Sequence, residues 1–498
     1  MTAETSPLSR RSRLAAAWAP VRQLQSVTNL LHWDQETYLP GSGQDSRTQQ
    51  LSVMAGLLHE QITGHALRDI VSEILEGDGV SPDLEIHAAF ADREISRTLK
   101  VPKELAQRVA SRAPAATAAW MRAREEADFS LFESSLSEIL ELKREVARAL
   151  GGSSLYDALL DEYEPGAKAA ELDPLFAALE RDVSDLMAEV LAAEPIDENA
   201  ARGDFPEDAQ RRLGLWAAET IGFSTEYGRL DSSAHPFCCG MHPHDVRITW
   251  RADREDFRPG LFGILHEAGH AMYEQGLPAE DIDLPACEAV SLGVHESQSR
   301  LWENQVGRSR GFLHGIESQF QTTFGVETTA QQLWPVLNAI RPSLIRVEAD
   351  EISYLLHIAI RYRLEKALME DDLQVGDLEA AWNDAYATAL QQSPSNATEG
   401  VLQDIHWASG LFGYFPTYAL GTVLAAQLFE AAQKALGDLE ADFAALRFEP
   451  LLDWLRENVH RHAATRSPSE LIRRATGSEL DAGPLLSAAR KRVRELYG

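Results

Sequence analysis

The sequence predicts a mainly α-helical protein with a small antiparallel β-sheet near the middle of the chain. Segments with apolar residues at helical spacing dominate the first ~230 residues, and the same spacing resumes at Gly260 and continues to the C-terminus. One short segment, Asp245–Trp250, instead alternates apolar and polar residues as a half-buried strand does. We therefore expect two sets of helices with a small sheet between them.

Four segments of the N-terminal part show the helical spacing most clearly and are rich in good helix formers. These segments are residues 85–99, 103–128, 132–150 and 173–193. Breakers such as Pro102 and the pair Gly151-Gly152 separate them. Residues 195–212 are polar and charged, and we expect them to form a surface loop.

The predicted strand has one apolar and one polar face. Val246 and Ile248 point to the apolar face, because side chains alternate along a strand. The residues of the polar face are Asp245, Arg247 and Thr249.

The charge balance of the chain excludes two classes of partner. The 498 residues include 46 Lys and Arg against 77 Asp and Glu, which gives a formal net charge of −31. A field of this sign repels nucleic acid and anionic membrane, and we expect neither as a partner. An acidic surface that favours solubility is the simplest interpretation.

The cysteine content indicates a reducing compartment. Cys238 and Cys239 are neighbours, which rarely pair with each other, and Cys287 is the third cysteine. Ser9-Arg10-Arg11 is similar to the start of an export signal, but Arg22 interrupts the apolar run that follows. A helix start is the better interpretation, and we predict a cytoplasmic protein.

One apolar stretch, residues 407–429, contains no Asp, Glu, Lys or Arg and is long enough to span a bilayer. Three glycines and a proline interrupt it, at Gly410, Gly413, Pro416 and Gly421. We therefore predict a buried, interrupted helix and not a membrane span.

The pentapeptide His266-Glu267-Ala268-Gly269-His270 lies on a predicted amphipathic helix. Two His four residues apart place their imidazoles on one face, one turn from each other. Both can bind one Zn²⁺, and a Glu directly after the first His can act as the general base of a metallopeptidase. Gly269 costs about 1 kcal/mol against Ala inside a helix, so we expect another backbone or a ligand to approach it closely.

A catalytic Zn²⁺ usually has a third protein ligand. Metzincins have a Gly and then a His after the second His of the motif, and Tyr273 and Gly276 occupy those positions here. That class is therefore excluded. The segment that follows offers four other candidates, and spacing alone does not decide between them. They are Glu288, His295, Glu296 and Glu303.

Further motifs, in order along the chain, resemble those of the carboxypeptidase Taq family of metallocarboxypeptidases. The zinc motif is followed by Val294-His-Glu-Ser-Gln298 and Arg300-Leu-Trp-Glu-Asn304. The other matches are His32-Trp-Asp-Gln-Glu-Thr37, Asp245-Val-Arg-Ile-Thr249, Ile345-Arg-Val-Glu-Ala-Asp350 and Gly400-Val-Leu-Gln-Asp-Ile-His-Trp407. The resemblance covers the chain from about residue 28 to the end, and is far more specific than the zinc motif alone.

The resemblance implies a role for each residue of the metal site. Glu296 would complete the site with His266 and His270, and Glu267 would be the catalytic base. His295, the neighbour of Glu296, would support the ligands or have a structural role.

The resemblance also implies an architecture and a cofactor. We expect a large helical metallopeptidase fold with two halves around a deep substrate groove, and a single domain over residues 1–498. The N-terminal helical half would end at about residue 230, and the catalytic half with the metal site would span 231–498. The family further implies Zn²⁺, for which Co²⁺ can substitute, and a cytoplasmic homodimer that removes C-terminal residues from peptides with broad specificity.

Two arginines are candidates for binding the terminal carboxylate of a peptide, a group that an Arg recognises with two hydrogen bonds. They are Arg247 and Arg346, which both lie in family motifs. On pattern alone, Arg346 could form a helical salt bridge with Asp350, and Arg247 could be a solvent-facing strand residue. The resemblance favours positions beside the substrate for both and leaves open which one binds the carboxylate.

The resemblance suggests three more residues at the substrate. His406 would contact the substrate or the oxyanion, with a buried structural histidine as the alternative. Gln403 and Tyr418 are weaker candidates, and Tyr414 competes with Tyr418 as the phenolic donor.

The predicted function is that of a zinc carboxypeptidase acting on peptides with a free C-terminus. A zinc oligoendopeptidase on a related helical scaffold is the first alternative, because it shares the metal chemistry but needs no cation for a carboxylate. A helical binding protein with a degenerate site is the second alternative. It is disfavoured because every expected metal and base residue is present.

Overall fold

The helices of the N-terminal part begin and end where capping and breaking residues stand. α4, for example, starts at Pro82 after Ser81, whose side chain accepts a hydrogen bond from the Leu84 amide. The structure is a computed structural model that describes residues 9–498. Nine α-helices of the described chain precede the sheet. They are α1 (Arg10–Thr37), α2 (Gln44–Ile62), α3 (His65–Leu75), α4 (Pro82–Lys100), α5 (Lys103–Glu126), α6 (Ser130–Leu150), α7 (Leu155–Tyr163), α8 (Ala169–Leu191) and α9 (Glu207–Ile221).

Eleven α-helices follow the sheet within the described range. They are α10 (Arg258–Gln275), α11 (Leu292–Arg300), α12 (Arg310–Phe324), α13 (Ala330–Asn338), α14 (Ser353–Met369), α15 (Leu378–Ala389), α16 (Pro416–Leu436), α17 (Leu439–Ala444), α18 (Glu449–Asn458), α19 (Pro468–Thr476) and α20 (Gly483–Tyr497). The prediction of a mainly helical protein is therefore confirmed.

The four segments predicted as helices from their apolar spacing are α4, α5, α6 and α8. The prediction of a loop over residues 195–212 is wrong from Glu207 onward, because α9 begins there. Pro206 precedes the helix, and the negative charges of Glu207 and Asp208 in its first turn interact favourably with the helix dipole. Leu213 lies on the buried face of this helix. Because the first turn of α9 is polar, the apolar face that follows it is difficult to recognise in the sequence.

The sheet consists of β1 (Gly228–Ser232), β2 (Cys238–His242) and β3 (Asp245–Trp250), in the order β1-β3-β2. β3 has the predicted bounds. It pairs antiparallel with β2 but parallel with β1, so the sheet is mixed and not purely antiparallel as predicted. β2 and β3 form a hairpin, and β3 is the central strand of the sheet. There it runs in the same direction as its other neighbour, β1.

The faces of β3 differ from the predicted alternation at one residue. Val246 and Ile248 are buried as expected, but Thr249 of the polar face is buried as well. The Thr249 hydroxyl oxygen accepts hydrogen bonds from the Ser233 hydroxyl at 2.7 Å and from the Phe237 amide at 2.9 Å. This polar side chain is therefore satisfied inside the protein, where it anchors the segment before β2.

Within residues 9–498, three apolar cores hold the helices together. The first combines residues of α5 to α8 with residues of α14, α15, α16 and α20. The second surrounds the sheet and α10, and the third lies between α1, α3 and α4. α16 contributes to both the first and the second core and packs against α11.

Helix α16 contains most of the apolar stretch at residues 407–429, and the residues before Pro416 form turns. The predicted interruption is confirmed at Gly410, Gly413 and Pro416 but is wrong at Gly421, which lies inside the continuous helix α16. Of the helices within residues 9–498, none combines the length and the apolar character that crossing a membrane requires.

Candidate active site

Helix α10 presents the zinc motif in the interior of the protein. A Cβ atom at Gly269 would lie 2.6 Å from the Ser299 Cα atom and 2.7 Å from the Gln298 carbonyl oxygen. The backbone of α11 thus occupies the space of a side chain at this position, and the close approach predicted from Gly269 is confirmed. On the other side of α11, a Cβ atom at Gly421 of α16 would lie 2.5 Å from the Glu296 Cβ atom. Helix α11 is therefore packed between α10 and α16 at backbone distance.

The three predicted metal ligands lie together at this contact. The Glu296 Oε2 atom is 3.8 Å from the His266 Nε2 atom and 3.5 Å from the His270 Nε2 atom. All three ligand atoms lie within 4.8 Å of one another. Ligands of a tetrahedral Zn²⁺ at about 2.0–2.2 Å are about 3.3–3.6 Å apart, so these residues fit one such ion with little movement.

The other candidates for the third ligand have different partners. Glu288 forms an ion pair with Arg22 at 3.5 Å. Glu303 and His295 both lie behind the two histidines and contact their Nδ1 atoms. Of the four candidates for the third ligand, the structure therefore groups Glu296 with His266 and His270.

Glu303 supports His266 directly. Its Oε2 atom is 2.9 Å from the His266 Nδ1 atom. Glu303 lies in a π-helical stretch, Leu301–Val306, that continues α11, and the guanidinium groups of Arg308 and Arg300 lie 3.2 Å and 3.4 Å from its carboxylate. A proton on the Nδ1 atom of His266 therefore has an acceptor, which leaves the lone pair on Nε2 for a metal ion.

His270 is supported through a second imidazole. The His295 Nδ1 atom is 2.6 Å from the His270 Nδ1 atom, and the His295 Nε2 atom is 2.8 Å from the Glu274 Oε1 atom. The two histidines of the zinc motif thus have different supports: a carboxylate for His266, and a histidine followed by a carboxylate for His270.

The protonation of Glu296 and His270 suits metal binding. Burial acts to raise the pKa of Glu296, but the Arg300 guanidinium at 2.7 Å and His266 outweigh it and hold this pKa well below its usual range. Burial lowers the pKa of His270 to about 3 and raises the pKa of Glu267 to about 7. Glu296 is therefore charged and His270 neutral, whereas Glu267 can accept and release a proton near neutral pH.

A second cluster of charges lies beside the metal ligands, and we call Arg346, Arg361 and Asp404 the arginine wall. The Asp404 carboxylate accepts from Arg346 at 2.7 Å and from Arg361 at 2.6 Å; both arginines are buried, and 9% of the Asp404 side chain is exposed. Two guanidinium groups share one carboxylate, which leaves an excess of one positive charge. Tyr354 connects the wall to the ligands, because its hydroxyl accepts from Arg346 at 2.9 Å and its ring centroid lies 4.7 Å from the Arg300 guanidinium.

The salt bridge between Arg346 and Asp350 that the sequence pattern allows is not formed. Arg346 lies in a short 3₁₀ turn, Arg346–Glu348. The Asp350 carboxylate instead accepts from the amides of Ile352 and Ser353, at 2.9 Å and 3.1 Å, at the start of α14. The Asp350 carboxylate therefore binds backbone amides at the start of α14, and the Arg346 side chain is directed to the arginine wall.

Arg247 lies outside the arginine wall. It donates to both carboxylate oxygens of Asp245, at 2.9 Å and 3.0 Å, because residues two apart in a strand share a face. Its guanidinium lies 4.3 Å from the centroid of the Trp33 ring, and 17% of its side chain is exposed. Arg247 is therefore a packed and paired residue, not the solvent-facing one that the pattern allows.

His406, Tyr418 and Tyr414 lie together beside the arginine wall. The His406 Nε2 atom is 3.1 Å from the Tyr418 hydroxyl, and the Tyr418 ring centroid is 5.3 Å from the Arg346 guanidinium. The Tyr414 ring centroid is 5.4 Å from that of Tyr418. Burial lowers the pKa of His406 to about 4, so this histidine is neutral.

Gln403 holds the arginine wall together. Its Oε1 atom accepts from the backbone amide of Arg346 and from the Arg361 guanidinium, both at 3.1 Å. Its Nε2 atom donates to the Leu344 carbonyl oxygen at 2.7 Å. Both ends of the side chain thus have protein partners, and Gln403 is placed to position Arg346.

Several residues of the site were not identified from the sequence. Glu274 follows His270 by one helical turn, so the spacing that links the two histidines was a signal for it as well. Asp404 and Arg300 lie inside recognised motifs. The signal for Arg361 was an arginine within the apolar segment of α14, where an unpaired charge is costly.

Comparisons with known proteins agree with this geometry. The family model described as carboxypeptidase Taq (M32) metallopeptidase matches residues 13–493. The chain belongs to this family. Thermostable carboxypeptidase 1 of Thermus thermophilus is 41% identical over 492 residues, which cover 95% of this chain and 96% of that protein. Carboxypeptidase 1 of Bacillus subtilis is 35% identical over 474 residues, which cover 94% and 95%.

A solved structure of the carboxypeptidase Taq family gives the same result. The M32 carboxypeptidase from Deinococcus radiodurans R1 superposes with a TM-score of 0.96 at 35% identity, over 98% of this chain and 99% of that one. The predicted family, the helical fold and the class of metallocarboxypeptidase are thus confirmed at the level of the family. A metallopeptidase family implies a metal ion, and the donor set of His266, His270 and Glu296 fits one.

Proposed function

We propose that this member of the carboxypeptidase Taq family is a zinc-dependent metallocarboxypeptidase that removes C-terminal residues from peptides with broad specificity. One observation supports this proposal above all: a cluster of metal ligands lies next to the arginine wall, which has positive charge in excess. The first cluster suits a metal ion at the scissile bond, and the second suits the terminal carboxylate of a peptide.

Two imidazoles and one carboxylate form the donor set of many zinc hydrolases and leave one position open. When bound, the metal ion polarises the peptide carbonyl and acidifies water at the open position. Because tetrahedral nitrogen and oxygen donors also suit Co²⁺, we expect Co²⁺ to substitute.

We assign the proton transfers to Glu267. A carboxylate oxygen of Glu267 accepts a proton from the attacking water and then delivers it to the nitrogen of the departing residue. Burial raises the pKa of this group to about 7, which is close to the value that serves both steps at neutral pH.

We assign recognition of the terminal carboxylate to Arg346 rather than to Arg247. Both arginines donate two hydrogen bonds to a carboxylate, Arg247 to Asp245 and Arg346 to Asp404, but Asp245 neutralises Arg247 alone. Asp404 is shared between Arg346 and a second arginine, Arg361, so positive charge is in excess there. Arg346 also lies close to the metal ligands, because its partner Tyr354 contacts Arg300, which pairs with Glu296. Broad specificity follows if the enzyme binds the common carboxylate and not a particular side chain.

We propose that a phenol beside the wall donates to the carbonyl oxygen of the scissile bond. Tyr418 is the first choice, because His406 contacts its hydroxyl at 3.1 Å and orients it. Tyr414 is the second choice, since its ring packs against Tyr418. Replacement of each by Phe separates them, because loss of the donor lowers kcat more than KM.

Paired peptides that differ only in C-terminal amidation test the proposed function. With Zn²⁺ or Co²⁺ bound, we expect the free peptide to be cleaved at least about 100-fold faster, because the amide has no charge for the arginine wall. Equal cleavage of both peptides would support the zinc oligoendopeptidase instead. Failure to cleave either peptide with either metal would contradict both.

We further propose a single cytoplasmic domain over residues 1–498, with halves that meet at about residue 230. The cores support one domain, because the first two combine residues from both sides of that point. The three cysteines are free, which suits a reducing compartment. Cooperative unfolding in a single transition would support the domain proposal, and two separate transitions would contradict it.

We also propose a homodimer. Helices α1 and α2 expose large apolar side chains that a partner would cover, among them Val27 at 43% and Val53 at 61% exposure. Sedimentation at micromolar concentration tests this, since a purely monomeric protein would contradict it.

A further inference from the structure

We propose that His295 and Glu274 form a relay that fixes the proton on His270 and thereby strengthens the bond from His270 to the metal ion. This inference depends on the metal site of the proposed function. It assigns a positioning role to two residues that do not bind the ion themselves.

The relay connects two helices. His270 and Glu274 lie one turn apart on α10, and His295 reaches between them from α11. The His295 ring centroid lies 4.5 Å from that of His270, and its two nitrogen atoms face His270 at 2.6 Å and Glu274 at 2.8 Å. A single imidazole thus contacts the back of a metal ligand with one nitrogen and a carboxylate with the other.

Only one arrangement of protons along this line leaves the lone pair of the His270 Nε2 atom free for a metal ion. An ionised Glu274 is only an acceptor, so the His295 Nε2 atom must donate to it. A His295 ring that carries only this one proton has a lone pair on Nδ1, which can only accept. The His270 Nδ1 atom is therefore the donor of that contact, and the lone pair of His270 lies on Nε2, the atom that faces Glu296 at 3.5 Å.

The surroundings hold the relay rigidly. A Cβ atom at Gly240 of β2 would lie 2.7 Å from the Glu274 Oε2 atom, so the strand packs directly on this carboxylate. The fully buried Tyr273 ring lies 5.3 Å from the His295 ring. The ring of His295 therefore has little room to turn or flip, as a residue that fixes a tautomer requires.

Metal affinity, measured without any peptide, tests the relay. Apo-protein and its variants compete with a chromophoric chelator for Zn²⁺ and for Co²⁺. We expect His295→Ala to weaken binding about 10- to 100-fold and Glu274→Gln about 10-fold, because an amide in place of the carboxylate no longer enforces the direction of the hydrogen bonds. His295→Asn, which keeps an acceptor near the Nδ1 position, should bind the metal ions more tightly than His295→Ala.

A matched control is Glu164→Gln. Glu164 is a buried carboxylate that accepts from the Gly293 amide of α11 but contacts neither the relay nor a ligand. We expect it to leave metal affinity within about twofold of the parent, since the donor set and its supports are unchanged. The melting temperature of each apo-variant separates lost affinity from lost folding, and the nearly isosteric Glu274→Gln decides the matter if His295→Ala does not fold.

The relay is refuted if Glu274→Gln and His295→Ala are folded and bind both metal ions as tightly as the parent, or if the control loses as much affinity as they do. A parent that binds metal tightly but cleaves no peptide contradicts the proposed function alone. A parent that binds neither Zn²⁺ nor Co²⁺ at this site contradicts both.

Discussion

The metal centre and the arginine wall are neighbours with opposite excess charge. Around the zinc motif lie four carboxylates, and two guanidinium groups contact two of them. The carboxylates are those of Glu267, Glu274, Glu296 and Glu303, and the guanidinium groups are those of Arg300 and Arg308. When all are ionised, the metal centre has an excess of two negative charges, whereas the wall has an excess of one positive charge.

This difference links charge to the position of cleavage. A divalent cation balances the first region, and the carboxylate at the end of a peptide balances the second. Because Tyr354 contacts both Arg346 and Arg300, the two regions are fixed relative to each other. A peptide that satisfies both regions has its last residues between them, so we attribute removal of terminal residues to the pairing of the two charges.

The largest expected effect comes from Glu267→Gln, which changes the metal centre and leaves the arginine wall intact. Loss of the proton acceptor should lower kcat about 10³-fold or more, while the bound metal content stays unchanged. Steady-state kinetics together with metal analysis checks this result. Glu288→Gln is a suitable control, because Glu288 pairs with Arg22 away from the ligands. A Glu267→Gln enzyme with activity near that of the parent would exclude the proposed general base.

A smaller effect is expected from Arg346→Ala, which removes the excess positive charge of the wall. The value of kcat/KM for free peptides should fall about 100-fold, mainly through KM, because a charge-assisted pair of hydrogen bonds is lost. Amidated peptides should be nearly unaffected. Arg363→Ala is the matched control, since Arg363 lies on α14, the helix of Arg361 of the wall, in an exposed pair with Glu180. Equal losses for free and amidated peptides would show that Arg346 serves only the structure.

The smallest effect concerns a buried carboxylate that lies in neither region. Glu296 has Arg300 beside it and keeps a low pKa, whereas Glu164 has no such partner and burial raises its pKa to about 7. The folded protein therefore binds the Glu164 proton more tightly than the unfolded chain, whose pKa for this group is near 4.5. The contribution to stability, about 3 kcal/mol, is fully present below pH 4.5 and is lost as the pH rises through about 7.

Glu164→Gln should therefore flatten this part of the pH dependence of unfolding. Urea denaturation at pH 5 and pH 8 measures the free energy of unfolding of both proteins, and the difference between the two pH values should be smaller in the variant. An identical pH dependence in parent and variant would show that Glu164 is ionised in the folded protein.

The sequence predicted the cluster of His266, His270 and Glu296 better than the arginine wall, for a physical reason. His266 and His270 lie one helical turn apart, so local spacing alone places them together. The partners of Asp404 lie 58 and 43 residues away in the sequence, and no rule of spacing connects them. Arg346 was identified through its motif, but its partners and the shared charge depend on how α14 packs against the loop before α16.

The sheet shows the same limit at the level of the fold. β3 has alternating residues and was predicted with its correct bounds. β2 contains Cys238, Cys239 and Gly240, which carry no alternating signal, and β1 is five residues long. With a single recognisable strand, the sequence contained no information on the direction of its neighbours, so the mixed topology was missed.

The two glycines that flank α11 have a consequence for the choice of ion. A methyl group at Gly421 would lie about 1 Å closer to the Glu296 side chain than an ordinary contact distance, so Glu296 would have to move away by about that much. Bonds between zinc and its ligands tolerate about 0.2 Å. The spacing of the three side chains offered to an ion therefore depends on Gly269 and Gly421, which let α11 approach α10 and α16 closely.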